Sequence, residues 1–92
     1  MARLLNEAEI VEGQKKIPGW TRDGKELVRQ YKFADFKEAM AFVNRVAAQA
    51  EKMDHHPDIL IQYNKVRLSL STHSAGGLTE SDLTLAKNID TL

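Results

Sequence analysis

Between Asp35 and Met53 the apolar residues return at steps of three and four: Phe36, Ala39, Met40, Val43, Val46, Ala47 and Ala50, with Phe42 and Met53 widening the row. That period matches the α-helical turn and lays one continuous apolar stripe along a helix. Asp35 can accept hydrogen bonds from the free N–H groups of the first turn, and Glu38 is its capping-box partner three residues on. A stripe of this length has to be buried, so the rest of a short chain must provide the surface that covers it.

Both flanks read as hairpins. Upstream, Pro18-Gly19 breaks the chain and Asp23-Gly24 is a strong turn signal between strands expected at Trp20 to Arg22 and Lys25 to Phe33. Leu27, Tyr31 and Phe33 share one face of the second strand and Glu26, Gln30 and Lys32 the other, while Val28 and Arg29 break the alternation. Downstream, Pro57 biases His56 away from helical geometry. Strands are then expected at Ile59 to Tyr63 and Lys65 to Thr72 around a turn at Asn64-Lys65. Val66, Leu68, Leu70 and Thr72 point to one side; Lys65, Arg67, Ser69, Ser71 and His73 point to the other.

Two more helices close the pattern. Asn6 with Glu9, and Leu5 with Ile10 as hydrophobic staple, open a short helix from about Asn6 to Gly13, where glycine is the stop and Lys15-Lys16 suit the negative helix end. Thr79 with Asp82, stapled by Leu78 and Leu83, opens a last helix carrying Leu83, Ala86 and Ile89 inward. Gly76-Gly77 before it is expected to take backbone conformations that strain other residues. The order is αββαββα. It implies an α+β two-layer sandwich, a four-stranded, largely antiparallel sheet with helices packed on one face. The opposite face, with Arg29, Gln30, Arg67, Ser69 and Ser71, suits a ligand-lined concavity or a partner surface.

With 92 residues the chain is expected to form a single domain over 1–92, with little core to spare, so that self-association would help its stability. Thirteen basic residues offset thirteen acidic ones, which argues against direct binding to nucleic acid or to an anionic membrane surface. The absence of cysteine excludes disulfides, thiolate nucleophiles and sulfur-ligated zinc. No apolar run is long enough for a signal peptide or a membrane span, so a cytoplasmic location is expected.

The chain's three histidines, His55, His56 and His73, fall at the expected ends of a helix and a strand. They can converge only if those ends meet. Three readings compete. Each can be a surface or satisfied residue. Together with Asp54, Asp58 or Glu51 they could ligate zinc, although adjacent histidines turn both rings onto one ion with difficulty and no His-x-x-x-His spacing is present. Or they perform general acid–base catalysis on a small polar heterocycle, since imidazole exchanges protons near neutrality with little tuning.

The run Glu51-Lys-Met-Asp-His-His-Pro57, followed by Tyr63-Asn-Lys-Val, Ser71-Thr-His73 and Gly-Leu-Thr-Glu-Ser-Asp82, resembles the signature of the pterin-4a-carbinolamine dehydratases. Gly19-Trp20, Phe33-Ala-Asp-Phe36 and Ala39 to Val46 extend the resemblance upstream, and Ile59 stands where family members often carry an aromatic residue. The resemblance implies the same αββαββα sandwich. It also implies loss of water from 4a-hydroxytetrahydropterin to give quinonoid dihydropterin, in tetrahydrobiopterin recycling, with no metal and no organic cofactor. On this basis His55, His56 and His73 are the catalytic candidates, His55 and His73 for proton transfer and His56 also for holding the pterin. Glu51, Asp82 and Pro57 join His56 as substrate-binding candidates. Asp82 is also explained as a helix cap, Pro57 as the device that ends the helix region, and Tyr63 and Trp20 either as stacking partners of a pterin or as sheet packing. A homodimer or homotetramer is implied. The alternatives are a protein-binding module acting as dimerisation cofactor of a transcription regulator, or a dehydratase-like enzyme for another pterin.

Overall fold

The computed structural model describes residues 3–92, so the first two residues of the expected domain lie outside the described residues. The elements are α1 (Glu7–Gln14), β1 (Thr21–Asp23), β2 (Glu26–Lys32), α2 (Phe36–Met53), β3 (Asp58–Gln62), β4 (Lys65–Leu70), a 3₁₀ turn (His73–Ala75) and α3 (Glu80–Ile89). The strands lie in the order β1-β2-β4-β3, and every neighbouring pair is antiparallel. This is the αββαββα, α+β sandwich expected from the patterning.

The register explains the core. Leu27 lies opposite Leu70, Arg29 opposite Leu68, and Tyr31 opposite Val66, so these side chains share one face of the sheet. Leu27, Val66, Leu68 and Leu70 are at most 1% exposed and pack with Ala39, Phe42, Val43 and Val46 of α2 and Leu85, Ala86 and Ile89 of α3. Burying each Leu or Ile contributes about 1.5–3 kcal/mol relative to leaving it in water.

The buried stripe of α2 is turned from its expected centre. Ala39, Phe42, Val43, Val46 and Ala50 are buried, whereas Phe36 is 50% exposed and Ala47 is exposed. Phe42, expected at the margin, is buried because its ring packs on the sheet, 4.6 Å from the Tyr31 centroid and 5.1 Å from that of Phe33. In α3 the inward set gains Leu85, which is fully buried, while Leu83 packs at the margin of the core.

Gly13 lies within α1 and does not stop it in a left-handed conformation. A Cβ there would meet Leu83 Cδ1 at 2.5 Å, so the Leu83 side chain packs over the glycine and would have to shift for any larger residue. The two residues that broke the β2 alternation are also explained. Val28 is 8% exposed on the outer face, and Arg29 reaches from the inner face to Asp90, 2.9 Å away, with its guanidinium 5.0 Å from the Tyr31 ring centroid. Asp90 also accepts the indole N–H of buried Trp20 at 2.9 Å, tying the first hairpin to the end of α3.

Both hairpin turns open with a positive φ, 61° at Gly24 and 54° at Tyr63. The second turn is Tyr63-Asn64, one residue earlier than expected, because Gln62 pairs with Lys65. Asn64 exchanges hydrogen bonds with Phe33, accepting its N–H at 2.8 Å and donating from Nδ2 to its carbonyl at 2.9 Å. That exchange ties the β3–β4 turn to the end of β2.

Tyr31, Phe33 and Phe42 form an aromatic group with centroids 4.6 to 6.2 Å apart. Among the described residues the buried Tyr31 hydroxyl has no hydrogen-bond partner, and burial pushes its pKa up to about 12. The folded state thus favours the neutral phenol, so its contribution to stability is complete below pH ~10 and is lost as pH rises towards ~12. Replacing Tyr31 with Phe removes an unsatisfied buried oxygen, and we expect stability at pH 7 to hold or rise by up to about 1 kcal/mol. The alkaline loss should shrink. Urea denaturation of both proteins at pH 7 and pH 11 measures each effect; a clear loss of stability in Tyr31→Phe at pH 7 would mean that the hydroxyl is satisfied in solution.

Candidate functional site

The histidine pair is placed by backbone geometry at the end of α2. Asp54 takes a left-handed conformation, φ 49° and ψ 43°, its N–H donates to the Ala50 and Glu51 carbonyls, and the His55 N–H returns to Ala50 O at 3.1 Å. This is the Schellman ending usually built on glycine; aspartate is among the few other residues that tolerate it. Three residues after Asp54, Pro57 holds His56 out of helical geometry, and Asp58 begins β3. The two imidazoles are therefore presented on a short segment with a fixed turn at one end and a strand at the other.

His55 turns inward. Its side chain is 14% exposed, and Nε2 lies 2.6 Å from Oδ1 of Asp82, which is 0% exposed. Asp82 Oδ2 accepts the Thr79 N–H at 2.9 Å, an N-cap bond of α3, and the Thr72 hydroxyl at 2.9 Å. A buried carboxylate is costly unless it accepts enough hydrogen bonds. Asp82 has three partners, from the end of α2, the segment after β4 and the start of α3. Asp82, anticipated as a substrate-binding residue, is closed off from solvent by its burial and holds His55.

His56 turns outward. Its side chain is 55% exposed and Nε2 is 2.5 Å from Oε2 of Glu51, itself 76% exposed in the last turn of α2. Pro57 is half-buried beside it.

His73 opens the 3₁₀ turn after β4 and is exposed. Thr72 and Gly77 form an antiparallel bridge beneath the turn, and Gly76, at φ 78°, donates its N–H to the Thr72 and His73 carbonyls. His73 thus heads a tight loop whose base, Thr72, touches the same carboxylate as His55. Among the described residues its imidazole has no hydrogen-bond partner within the chain.

Two aromatic residues do not join this group. Trp20 is 3% exposed and bonded to Asp90, so it packs in the core. Tyr63 is 66% exposed but lies at the far end of the five-residue strand β3, roughly 17 Å along it from the Pro57 end. Grooves of about 630 Å³ between α1 and α3 and about 520 Å³ beside β1 and β2 are lined by other residues, with no histidine in either. Among the described residues no group of three or more His, Asp and Glu side chains is gathered as a metal-holding set, and no helix is long and apolar enough to cross a membrane.

Sequence reasoning missed the buried hydroxyls of Thr72 and Thr79, which meet at 2.7 Å. The available signal was parity. Thr72 occupies an inward-facing position of the β4 pattern, where a hydroxyl needs a partner.

The family model described as pterin 4 alpha carbinolamine dehydratase matches residues 3–92. A provisionally named pterin-4-alpha-carbinolamine dehydratase from Thermomicrobium roseum is 57% identical over 89 residues, 97% of this chain and 95% of that protein. The crystal structure of a transcriptional coactivator/pterin dehydratase from Brucella melitensis superposes with a TM-score of 0.89 at 37% identity, covering 95% of each chain. A pterin dehydratase-like protein described as a RuBisCO assembly factor in the alpha-carboxysome superposes with a TM-score of 0.67 at 25% identity, over 79% of this chain and 87% of that one.

The left-handed Asp54 makes a direct test of how the pair is held. Asp54→Val, a β-branched residue in a region its side chain resists, should cost about 1–2 kcal/mol of stability, whereas Asp54→Asn should be nearly neutral. Thermal or urea unfolding of the two variants measures the difference; equal losses would mean that the carboxylate charge, and not the backbone angle, matters at this position.

Proposed function

Since the chain belongs to the pterin 4 alpha carbinolamine dehydratase family, we propose that it removes water from a 4a-hydroxytetrahydropterin by histidine general acid–base catalysis. The observation that carries this reading is the bond from His55 to buried Asp82, which also holds the base of the His73 loop. Within that family such an arrangement supports one proton-exchanging imidazole bonded to a carboxylate and a second carried on a loop whose base that carboxylate holds.

The chemistry requires two proton movements. One proton is delivered to the 4a-hydroxyl, whose C–O bond breaks to release water. Another is taken from N5, whose bonding pair forms the N5=C4a double bond of the quinonoid dihydropterin. No electrons are gained or lost overall. His55 and His73 are the proposed partners in these transfers, with His56 and Glu51, exposed and bonded to each other, proposed to hydrogen-bond the pterin ring. Pro57 orients the pair, and Asp82 is assigned to holding His55. A positioned acid or base is typically worth 10²–10⁴-fold in rate. In the cell the reaction would restore a tetrahydropterin cofactor in the cytoplasm, and the small core is consistent with a homodimer or homotetramer.

A second reading, a protein-binding module, is favoured by one surface. Phe36 is 50% exposed on α2, in line along the helix with half-buried Met40 and exposed Ala47, and the solved structures this chain resembles include a transcriptional coactivator/pterin dehydratase and a RuBisCO assembly factor.

Stopped-flow absorbance of 4a-hydroxytetrahydropterin decay separates the two. We expect decay well above the buffer rate, unchanged by a chelator, and a fall of at least about 10²-fold in the His55→Ala/His73→Ala double variant. Decay no faster than buffer with the folded wild-type protein would reject the dehydratase and leave the binding module.

A further inference from the structure

Thr72 and Thr79 are 8% and 1% exposed, and a hydroxyl buried to that degree must be hydrogen-bonded or it destabilises the fold. Their oxygens are 2.7 Å apart, and Thr72 Oγ1 is also 2.9 Å from Asp82 Oδ2. The directions of these bonds follow from counting protons. A backbone N–H only donates, so Asp82 Oδ2 accepts from Thr79 N. As a carboxylate, Asp82 also accepts from Thr72, whose single hydroxyl proton is then used. The Thr72 oxygen must therefore accept the Thr79 hydroxyl proton.

Both donors fall on one carboxylate oxygen. The aspartate χ2 well is broad, and without those two donors the carboxylate plane could turn and break its bond to the imidazole. With Oδ2 taken twice, Oδ1 is the oxygen turned to His55 Nε2 at 2.6 Å. An acceptor at that distance requires the proton on Nε2, and Nδ1 remains as the nitrogen with a free lone pair.

We infer that Thr72, backed by Thr79, is a positioning residue that sets the face of Asp82 and thereby holds His55 in its Nε2–H tautomer, leaving Nδ1 to exchange protons with the substrate. Its consequence for turnover rests on the dehydratase reading; its consequence for the imidazole does not. Thr72 acts on the other proposed proton carrier too, because its peptide N–H and carbonyl bridge Gly77 at the base of the loop that His73 heads.

The test is ¹⁵N NMR of the imidazole nitrogens at a pH where histidine is neutral, with His56→Gln and His73→Gln variants assigning the signals. The wild-type protein should show a protonated Nε2 and an unprotonated Nδ1 for His55. In Asp82→Asn the two donors at the Oδ2 position draw in the amide oxygen, so the NH₂ group faces His55 and can only donate. The tautomer should invert to Nδ1–H, and kcat should fall on the order of 10²-fold or more, as expected when a base is held in the wrong tautomer. Thr72→Val should mix the two tautomers and lower kcat on the order of tenfold with KM unchanged, and Thr72→Ser, which keeps the hydroxyl, should recover the wild-type pattern. If Thr72→Val does not fold, Thr72→Ala takes its place, since inversion in Asp82→Asn reads the pairing of Asp82 with His55 and not the Thr72 hydroxyl. Retention of Nε2–H in Asp82→Asn, or a wild-type pattern in folded Thr72→Val, overturns the inference. Because the NMR signal needs no substrate, an inactive wild-type protein whose tautomer inverts as described would reject only the dehydratase, and an active one whose tautomer ignores these changes would reject only the role of Thr72.

Discussion

A carboxylate with no exposed surface is the constraint on which the rest of this structure turns. Leaving Asp82 unpaired in the interior would cost several kcal/mol, a large share of the stability of a chain this small. Its partners come from three different elements, so satisfying it fixes the end of α2, the exit of β4 and the start of α3 relative to one another. The same three bonds bring a histidine from one end of the sequence motif beside the loop that carries another. Here the stability requirement and the arrangement of the candidate site are one set of contacts.

A second acid, Asp90, plays a parallel part away from the histidines. It receives the Trp20 indole and the Arg29 guanidinium, and so closes the first hairpin against the last helix. The contrast between the two carboxylates is informative. Asp90 is partly exposed and pairs with a permanently charged guanidinium, a structural tie. Asp82 pairs with an imidazole, whose proton can leave, which is the kind of partner that acid–base chemistry needs.

Much of this was legible in the chain before any coordinates. Capping residues Asn6 and Asp35, the hairpin glycine at 24 and Pro57 act within a few residues of themselves, and each did locally what its chemistry predicts. The errors arose where a residue's role depends on a distant partner. Gly13 looked like a helix stop and instead lies inside the helix, where the Leu83 side chain packs over it. Arg29 looked like a fault in a strand until Asp90 supplied its counter-charge. Phe36 belonged to the helical period yet stays half exposed, because which part of a stripe is buried depends on where the sheet and α3 lie.

The site divides in the same way. Residue types and spacing in the sequence determined the αββαββα order and singled out His55, His56 and His73 with their acidic neighbours, since hydrogen-bond capping, turn preference and alternation are short-range effects. Only the tertiary structure decided that His55 is buried against Asp82 while His56 faces outward to Glu51, that Trp20 and Tyr63 lie apart from them, and that two threonine hydroxyls complete the network. Those outcomes depend on which surfaces exclude water and which distant donors meet one acceptor. Neither is a property of any short stretch of chain.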